Sequence, residues 1–309
     1  MNKASKILVI IDSENDPALV VDRACWLSQL FGTQLELLLC NAPANRGLPV
    51  FLNPSQARKV SSDIARSQDE WIESLVTQAK ERGIDASAGV LGDRSIADGI
   101  LDHIAKMKPL LVVKGTHYHS ESERSMILGT DWRLIRECGA PLYLVKKATM
   151  AQEPTVIAAV DPICEHDKPA VLDQIIVDHA RSLTEATKGK LLLFHSYERL
   201  VAIGAAAIRA ITSEKLKVDE IDKKIKTEHR TALDEFARRN DIAAAATHLL
   251  PGRTHELLPA FVRSKGADIV VMGALARWGM RRMVLGSTTE RVLDHLPCDV
   301  LVIRAPAAG

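Results

Sequence analysis

Twice along its 309 residues this chain runs through an unbroken apolar stretch and stops on an aspartate: ILVIID at 7–12 and VIAAVD at 156–161. An apolar run of this length ended by an acid is the pattern of a parallel strand buried on both faces, with its last residue at the carboxyl edge of the sheet. The segments after the two runs repeat as well. Leu19, Cys25, Trp26 and Leu30 in the first half, and Ile175, Ile176, His179, Ala180 and Leu183 in the second, lie near helical spacing. A second apolar strand comes next, at 35–40 and at 191–194. Each half therefore opens β-α-β.

The correspondence continues to the end of each half. Val90-Leu91-Gly92 matches Leu249-Leu250-Pro251-Gly252, and the run 110–113 matches 269–272. GAPLYLVK at 139–146 and PCDVLVIR at 297–304 are short closing strands entered through a small or proline-bearing turn. Strands alternating with helices imply right-handed crossovers. The expected fold is α/β: two tandem Rossmann-like open parallel-sheet sandwiches with helices on both faces. The expected domains are 1–147 and 155–309, joined through the polar, proline-bearing stretch 147–154.

Each half also carries an extra segment after its second strand. Val60, Ile64, Trp71 and Leu75 fit one helical face, as do Ile221, Ile225, Leu233 and Phe236. Packing is the ordinary reading of such stripes. The alternative is that the alanine-rich stretch 200–211, with Val50 and Phe51, covers a pocket for an apolar, lipid-like ligand.

Composition excludes several classes. The formal charge is +1, with basic and acidic residues interspersed, so there is no electrostatic footprint for nucleic acid. No apolar stretch approaches the ~20 residues of a spanning helix, and the start MNKASKILVIID runs directly into a strand; a cytoplasmic protein without membrane insertion is expected. Five cysteines without a C-x-x-C pair read as reduced core residues.

The segment MGALARWGMRRMVLGSTTERV at 272–292 carries the functional signal. In a doubly wound sheet, ligands bind beyond the carboxyl ends of the strands where the strand order reverses, and this loop leaves the sheet there. Gly273 permits close backbone approach to a phosphate. Gly286, Ser287 and Thr288 offer amides and hydroxyls at a helix start, where the dipole favours an anion. Arg277, Arg281 and Arg282 add charge, and Asp161 reaches the same crevice as an acceptor for ribose or base. Gly252, after the third strand, is a peripheral candidate beside its reading as a plain turn residue.

The segment resembles the signature of the universal stress protein family, in which G-x2-G-x9-G-[S/T] follows the fourth strand and cradles the phosphates of ATP. Here the pattern reads Gly273, Ala276, Gly286 and Ser287, with the spacing kept and one glycine replaced. Asp12 and Asp161 sit where the family keeps its first-strand aspartate, and the repeat is similar to that of its tandem members. The resemblance implies an adenine nucleotide, with or without Mg2+, bound by Asp161, Gly252, Gly273, Ala276, Arg282, Gly286, Ser287 and Thr288. It implies two domains that pair within the chain, with a homodimer left open, and a stress-responsive regulator acting on a protein partner. Where a positive φ is required at Ala276, its cost is about 1 kcal/mol. The competing readings are a nucleotide-free scaffold and a slow ATPase.

The first-half counterpart, KGTHYHSESERSMILGTDW at 114–132, keeps Gly115, Gly129 and Thr130 but places Tyr118 at the second glycine position. Glu121 and Glu123 would repel a polyphosphate, so this half reads as degenerate for ATP. Its His117 and His119 form an H-x-H suited to zinc; without a fixed third ligand the pattern is weak, and a solvated loop is the competing reading. No G-x-S-x-G, GxxxxGK[ST] or H-E-x-x-H occurs, and the chain does not read as a catalyst beyond weak ATP hydrolysis.

Overall fold

The computed structural model describes residues 5–12, 15–40, 53–91, 96–116, 130–163, 171–199, 218–274 and 292–304. The chain forms two compact units, Met1–Lys146 and Lys147–Gly309. The first contains β1 (Lys6–Ile11), α1 (Pro17–Phe31), β2 (Gln34–Leu39), α2 (Pro54–Glu81), β3 (Ala86–Val90), α3 (Ile96–Met107), β4 (Leu111–Gly115), α4 (Thr130–Glu137) and β5 (Leu142–Val145). Its strands lie in the order β3-β2-β1-β4-β5, and every pairing is parallel.

The second unit contains β6 (Thr155–Ala159), α5 (Val171–Thr187), β7 (Lys190–Tyr197), α6 (Val218–Arg239), β8 (Thr247–Pro251), α7 (Thr254–Lys265), β9 (Ile269–Gly273) and β10 (Asp299–Ile303). Its order, β8-β7-β6-β9-β10, is the same arrangement, again wholly parallel. Helices cover both faces, so the central strands are buried throughout: Ile7 to Ile11 and Ile269 to Val271 are all within 1% of complete burial.

Local chemistry fixes where the helices begin. Asp16 caps α1 by accepting from the amides of Ala18 and Leu19, with Pro17 at the first helical position. Asn53 and Gln56 form a reciprocal capping box at the start of α2. This 28-residue helix is less buried than its apolar stripe suggests. Val60 is exposed, and burial is concentrated at Ile72, Leu75, Val76 and Ala79, where the helix covers the sheet.

The stretch that connects the halves is held at its start by the second unit. The Lys147 amide donates to Asp299 Oδ1 at 2.8 Å, and its ammonium pairs with Asp268, which also accepts from the Thr155 amide at 2.9 Å. Both aspartates are buried, so the polar entry segment is tied to the amino ends of β6, β9 and β10.

One surface-proximal cluster gives this fold a defined acid response. Glu36 on β2 accepts from Lys6 at 3.2 Å and lies 2.6 Å from His103 Nε2. Burial works to raise the Glu36 carboxyl, but its hydrogen bonds to His103 and Lys6 prevail and hold it below the usual range. A depressed carboxylate contributes stability that is present above its unfolded pKa of about 4.3 and is lost as the pH falls through its lower folded value. Glu36→Gln is expected to lose at most about 1 kcal/mol at neutral pH and to flatten the stability curve on the acid side. Urea titrations at a series of pH values check this; an unchanged acid slope would count against it.

Candidate functional site

In both units the strand order reverses between the first and fourth strands, β1 beside β4 and β6 beside β9. This is where a doubly wound sheet opens a crevice at its carboxyl edge. The registers coincide: Ile10 pairs with Lys114 and Ala159 pairs with Met272. The first-strand aspartates, Asp12 and Asp161, lie two residues past these pairs. The two reversal points therefore share strand order and register and differ in side chains.

In the first unit the reversal point carries an ionic cluster. Lys114, 2% exposed, places its ammonium 2.7 Å from Asp12 Oδ2 and 2.7 Å from Asp131 Oδ1, and donates to the Gly115 carbonyl at 3.1 Å. Asp131, in the first turn of α4, also accepts from Thr116 Oγ1 at 2.7 Å. Asp12 Oδ1 accepts from both the backbone and side-chain nitrogens of Asn15. Burial disfavours the charged lysine, yet Asp131 and Asp12 outweigh it and hold its pKa above the ordinary value. Beside the cluster, burial pushes the Cys40 thiol up to about 12, with the Asp12 charge adding to the effect; it is a core thiol, not a nucleophile.

In the second unit the matching fourth-strand position is Met272, 7% exposed and uncharged. Asp161 lies just past β6 and its backbone amide donates to Asp173 Oδ1 at 3.1 Å, which anchors this turn to the first turn of α5. Gly273 closes β9. A side chain there would sit 2.8 Å from Leu172 Cδ2 and 3.5 Å from Ile176 Cδ1, so the glycine makes room for α5 as well as leaving backbone bare at the strand end. Gly115 does the same for Asn15 and Val20 in the first unit. Gly252 adopts φ 138°, a region that favours glycine, and its amide donates to the Tyr197 carbonyl at 2.8 Å. Next to it Ser196 and Thr254 share a hydroxyl hydrogen bond of 2.7 Å.

A buried histidine relay supports the β6 end. His195 Nδ1 lies 3.0 Å from the Val160 carbonyl and must donate to it, so in the neutral ring Nε2 accepts from His229 Nδ1 at 2.7 Å. His195 and His229 are 2% and 3% exposed, and Tyr197 packs on His229. The relay ties the residue before Asp161 to β7 and α6. By contrast, His248 packs on Phe261 and is kept below the usual histidine range by burial and by the charges of Lys265 and Arg230.

The sequence-predicted residues thus divide. Asp161, Gly252 and Gly273 stand at the carboxyl edge of the second sheet. Ala276, Arg282, Gly286, Ser287 and Thr288 lie outside the described residues, as do His117 and His119. Among the described residues no three His, Cys, Asp or Glu side chains are grouped to hold a metal, and no helix is long and apolar enough to cross a membrane. Lys114, Asp131 and His229 are additions from the structure that motif and periodicity do not supply. A signal for Lys114 exists all the same, because a lysine inside an otherwise apolar strand must be paired.

Two units, each with five parallel strands in one and the same order and an aspartate at the order reversal, define a tandem Rossmann-like α/β protein. The universal stress protein family model matches residues 3–146 and again 167–304. This chain belongs to the universal stress protein family and carries two of its domains in tandem. It is 26% identical over 303 residues to universal stress protein E of Salmonella typhi, and 25% identical to that of Escherichia coli K12. In both cases the match covers 96% of this chain and 93% of the relative. Among solved structures it is similar to a functionally unknown protein from Pseudomonas aeruginosa PAO1, with TM-score 0.71, 20% identity and coverage of 98% and 93%. A universal stress protein from Archaeoglobus fulgidus DSM 4304 is also similar, with TM-score 0.62, 15% identity and coverage of 98% and 97%.

Proposed function

We propose that this protein is a stress-response regulator that binds an adenine nucleotide, ATP or a shorter phosphate, in its C-terminal unit and passes the bound state to a protein partner. Asp161 accepts from ribose or base. The amides and hydroxyls of Gly273, Gly286, Ser287 and Thr288 hold the phosphates, with Ala276 in the loop and Gly252 and Arg282 at the rim. The observation that supports this most is the contrast at one register position. The reversal point beside Asp161 carries an uncharged Met272 and leads directly into the glycine-bearing loop, whereas its twin is occupied by the Lys114 cluster. With amides but no base assigned to orient water, the site favours binding over hydrolysis.

The test is calorimetric titration of nucleotide-stripped protein with ATP and then AMP. One site of micromolar affinity, about −8 kcal/mol, is expected. Ala276→Gly is expected to tighten it several-fold, by about 1 kcal/mol where the loop takes a positive φ at that position. A protein that binds neither nucleotide, in wild-type form or as Ala276→Gly, overturns the reading.

A further inference from the structure

We infer that the penultimate residue of the fourth strand, Lys114 in one unit and Met272 in the other, selects which half of the chain accepts a nucleotide: an ammonium there takes the ligand's place on the first-strand aspartate. The inference rests on the nucleotide reading of the second unit and adds the residue that confines it to that unit. Its basis is geometric. A side chain built on Gly115 would meet Asn15 and Val20, beside α1, and one built on Gly273 would meet Leu172 and Ile176 of α5. Alternation along a strand then sends the preceding residue, Lys114 or Met272, to the opposite face of its sheet. Since Lys114 pairs with Ile10 as Met272 pairs with Ala159, both side chains leave the same point of the same topology, with the aspartate two residues further along the first strand.

What Lys114 does there is compete. A ribose hydroxyl or a base N–H needs lone pairs on the aspartate. In the first unit Asp12 commits Oδ1 to two nitrogens of Asn15 and Oδ2 to the ammonium at 2.7 Å. The Lys114 ammonium is itself held between two carboxylates, so moving it aside for a ligand would break two buried ion pairs. The thioether of Met272 can form no ion pair with Asp161, so the fourth strand of the second unit offers no cation to compete with a ligand. At this one position, then, the first unit supplies its own cation to the first-strand aspartate and the second unit does not.

The experiment has two arms. In the first, native wild-type protein is reductively methylated and its peptides are analysed by mass spectrometry. Lys114 is expected to stay unmodified while Lys224, whose side chain is 77% exposed, reacts. A Lys114 that reacts as Lys224 does overturns the inference without any variant. In the second arm Met272→Lys is titrated with ATP and AMP beside the apolar control Met272→Leu. The lysine variant is expected to lose about tenfold to a hundredfold in affinity for both nucleotides, the size of one charge-assisted hydrogen bond, while the leucine variant binds as wild type. Undiminished affinity in a folded Met272→Lys protein overturns the inference and leaves the nucleotide reading standing. If the lysine variant fails to fold, Met272→Gln, neutral and of similar length, is expected to lose a few-fold, and equal affinity there overturns it. A wild-type protein that binds no nucleotide instead removes the nucleotide reading and, with it, the selective role of Met272.

Discussion

Replacing Lys114 by methionine is expected to destabilise the N-terminal unit by about 3–5 kcal/mol, although the new side chain is apolar and close in length. The change leaves Asp12 and Asp131, whose side chains are 12% and 7% exposed, facing one another without the ammonium both now touch. Two carboxylates removed from water repel, and the ammonium that each of them pairs with is gone. The effect is read as a lower urea midpoint at neutral pH, and its pH dependence separates it from a packing defect. Protonating one carboxylate relieves the repulsion, so the deficit should narrow as the pH is lowered from about 7 towards 4. In the wild type the sign is opposite. The Lys114 pKa is raised, so its contribution is complete below the unfolded lysine value of about 10.4 and is lost only as the pH rises through the higher folded value. The triple variant Lys114→Met with Asp12→Asn and Asp131→Asn should recover most of the stability, because the three charges are then removed together. A Lys114→Met deficit that does not vary with pH would mean that packing, not charge, held the site.

The duplicated fold is legible in the sequence because a parallel strand covered on both faces must be a continuous apolar run, as ILVIID and VIAAVD are, and because an acid can end such a run only where it reaches water or a partner. The Lys114 cluster is not, since apolarity ends the fourth strand at Val113, whereas the strand extends through Lys114 to Gly115. A lysine continues a buried strand only when carboxylates await it, and these come from the end of β1 and from α4, a pairing fixed by tertiary structure. His229 is hidden for a related reason. It sits on the lysine- and glutamate-rich helix α6, whose composition reads as a solvent face, yet it is buried against His195. Gly273 shows the converse limit. Close phosphate approach is a capacity of any glycine at a strand end, but this residue is also required by Leu172 of α5, and nothing in one sequence separates the two demands. The N-terminal part of α2 shows that an apolar stripe does not oblige a helix to bury it: Val60 lies on the stripe and is exposed.

The second large effect is expected at the loop after β9. On the proposed reading, a Gly286→Val, Ser287→Ala double variant should lose nucleotide affinity by at least about a hundredfold, because two of the proposed phosphate contacts are removed at once. Valine at 286 puts a branched side chain where the proposed cradle needs bare backbone amides, and β-branching resists the positive φ that glycine permits. Alanine at 287 deletes a hydroxyl donor whose hydrogen bond to a charged oxygen is worth about 1.5–3 kcal/mol. The variant leaves Asp161, the proposed nucleoside end of the site, intact, so the loss should grow with the number of phosphates, being greater for ATP than for AMP and least for adenosine. That gradient distinguishes a phosphate cradle from a loop that merely supports the fold. Thermal melts supply the control. At about 100 times Kd the ligand should stabilise the wild type by about 2.7 kcal/mol, whereas the double variant should melt at one temperature with and without nucleotide. The ligand-free melting temperatures of the two should agree, since the substitutions fall outside β9 and β10 and leave both strands whole. Equal losses for adenosine and ATP would place the loop's contribution at the nucleoside, and unchanged affinity for all three would move the phosphates to other amides at the carboxyl edge.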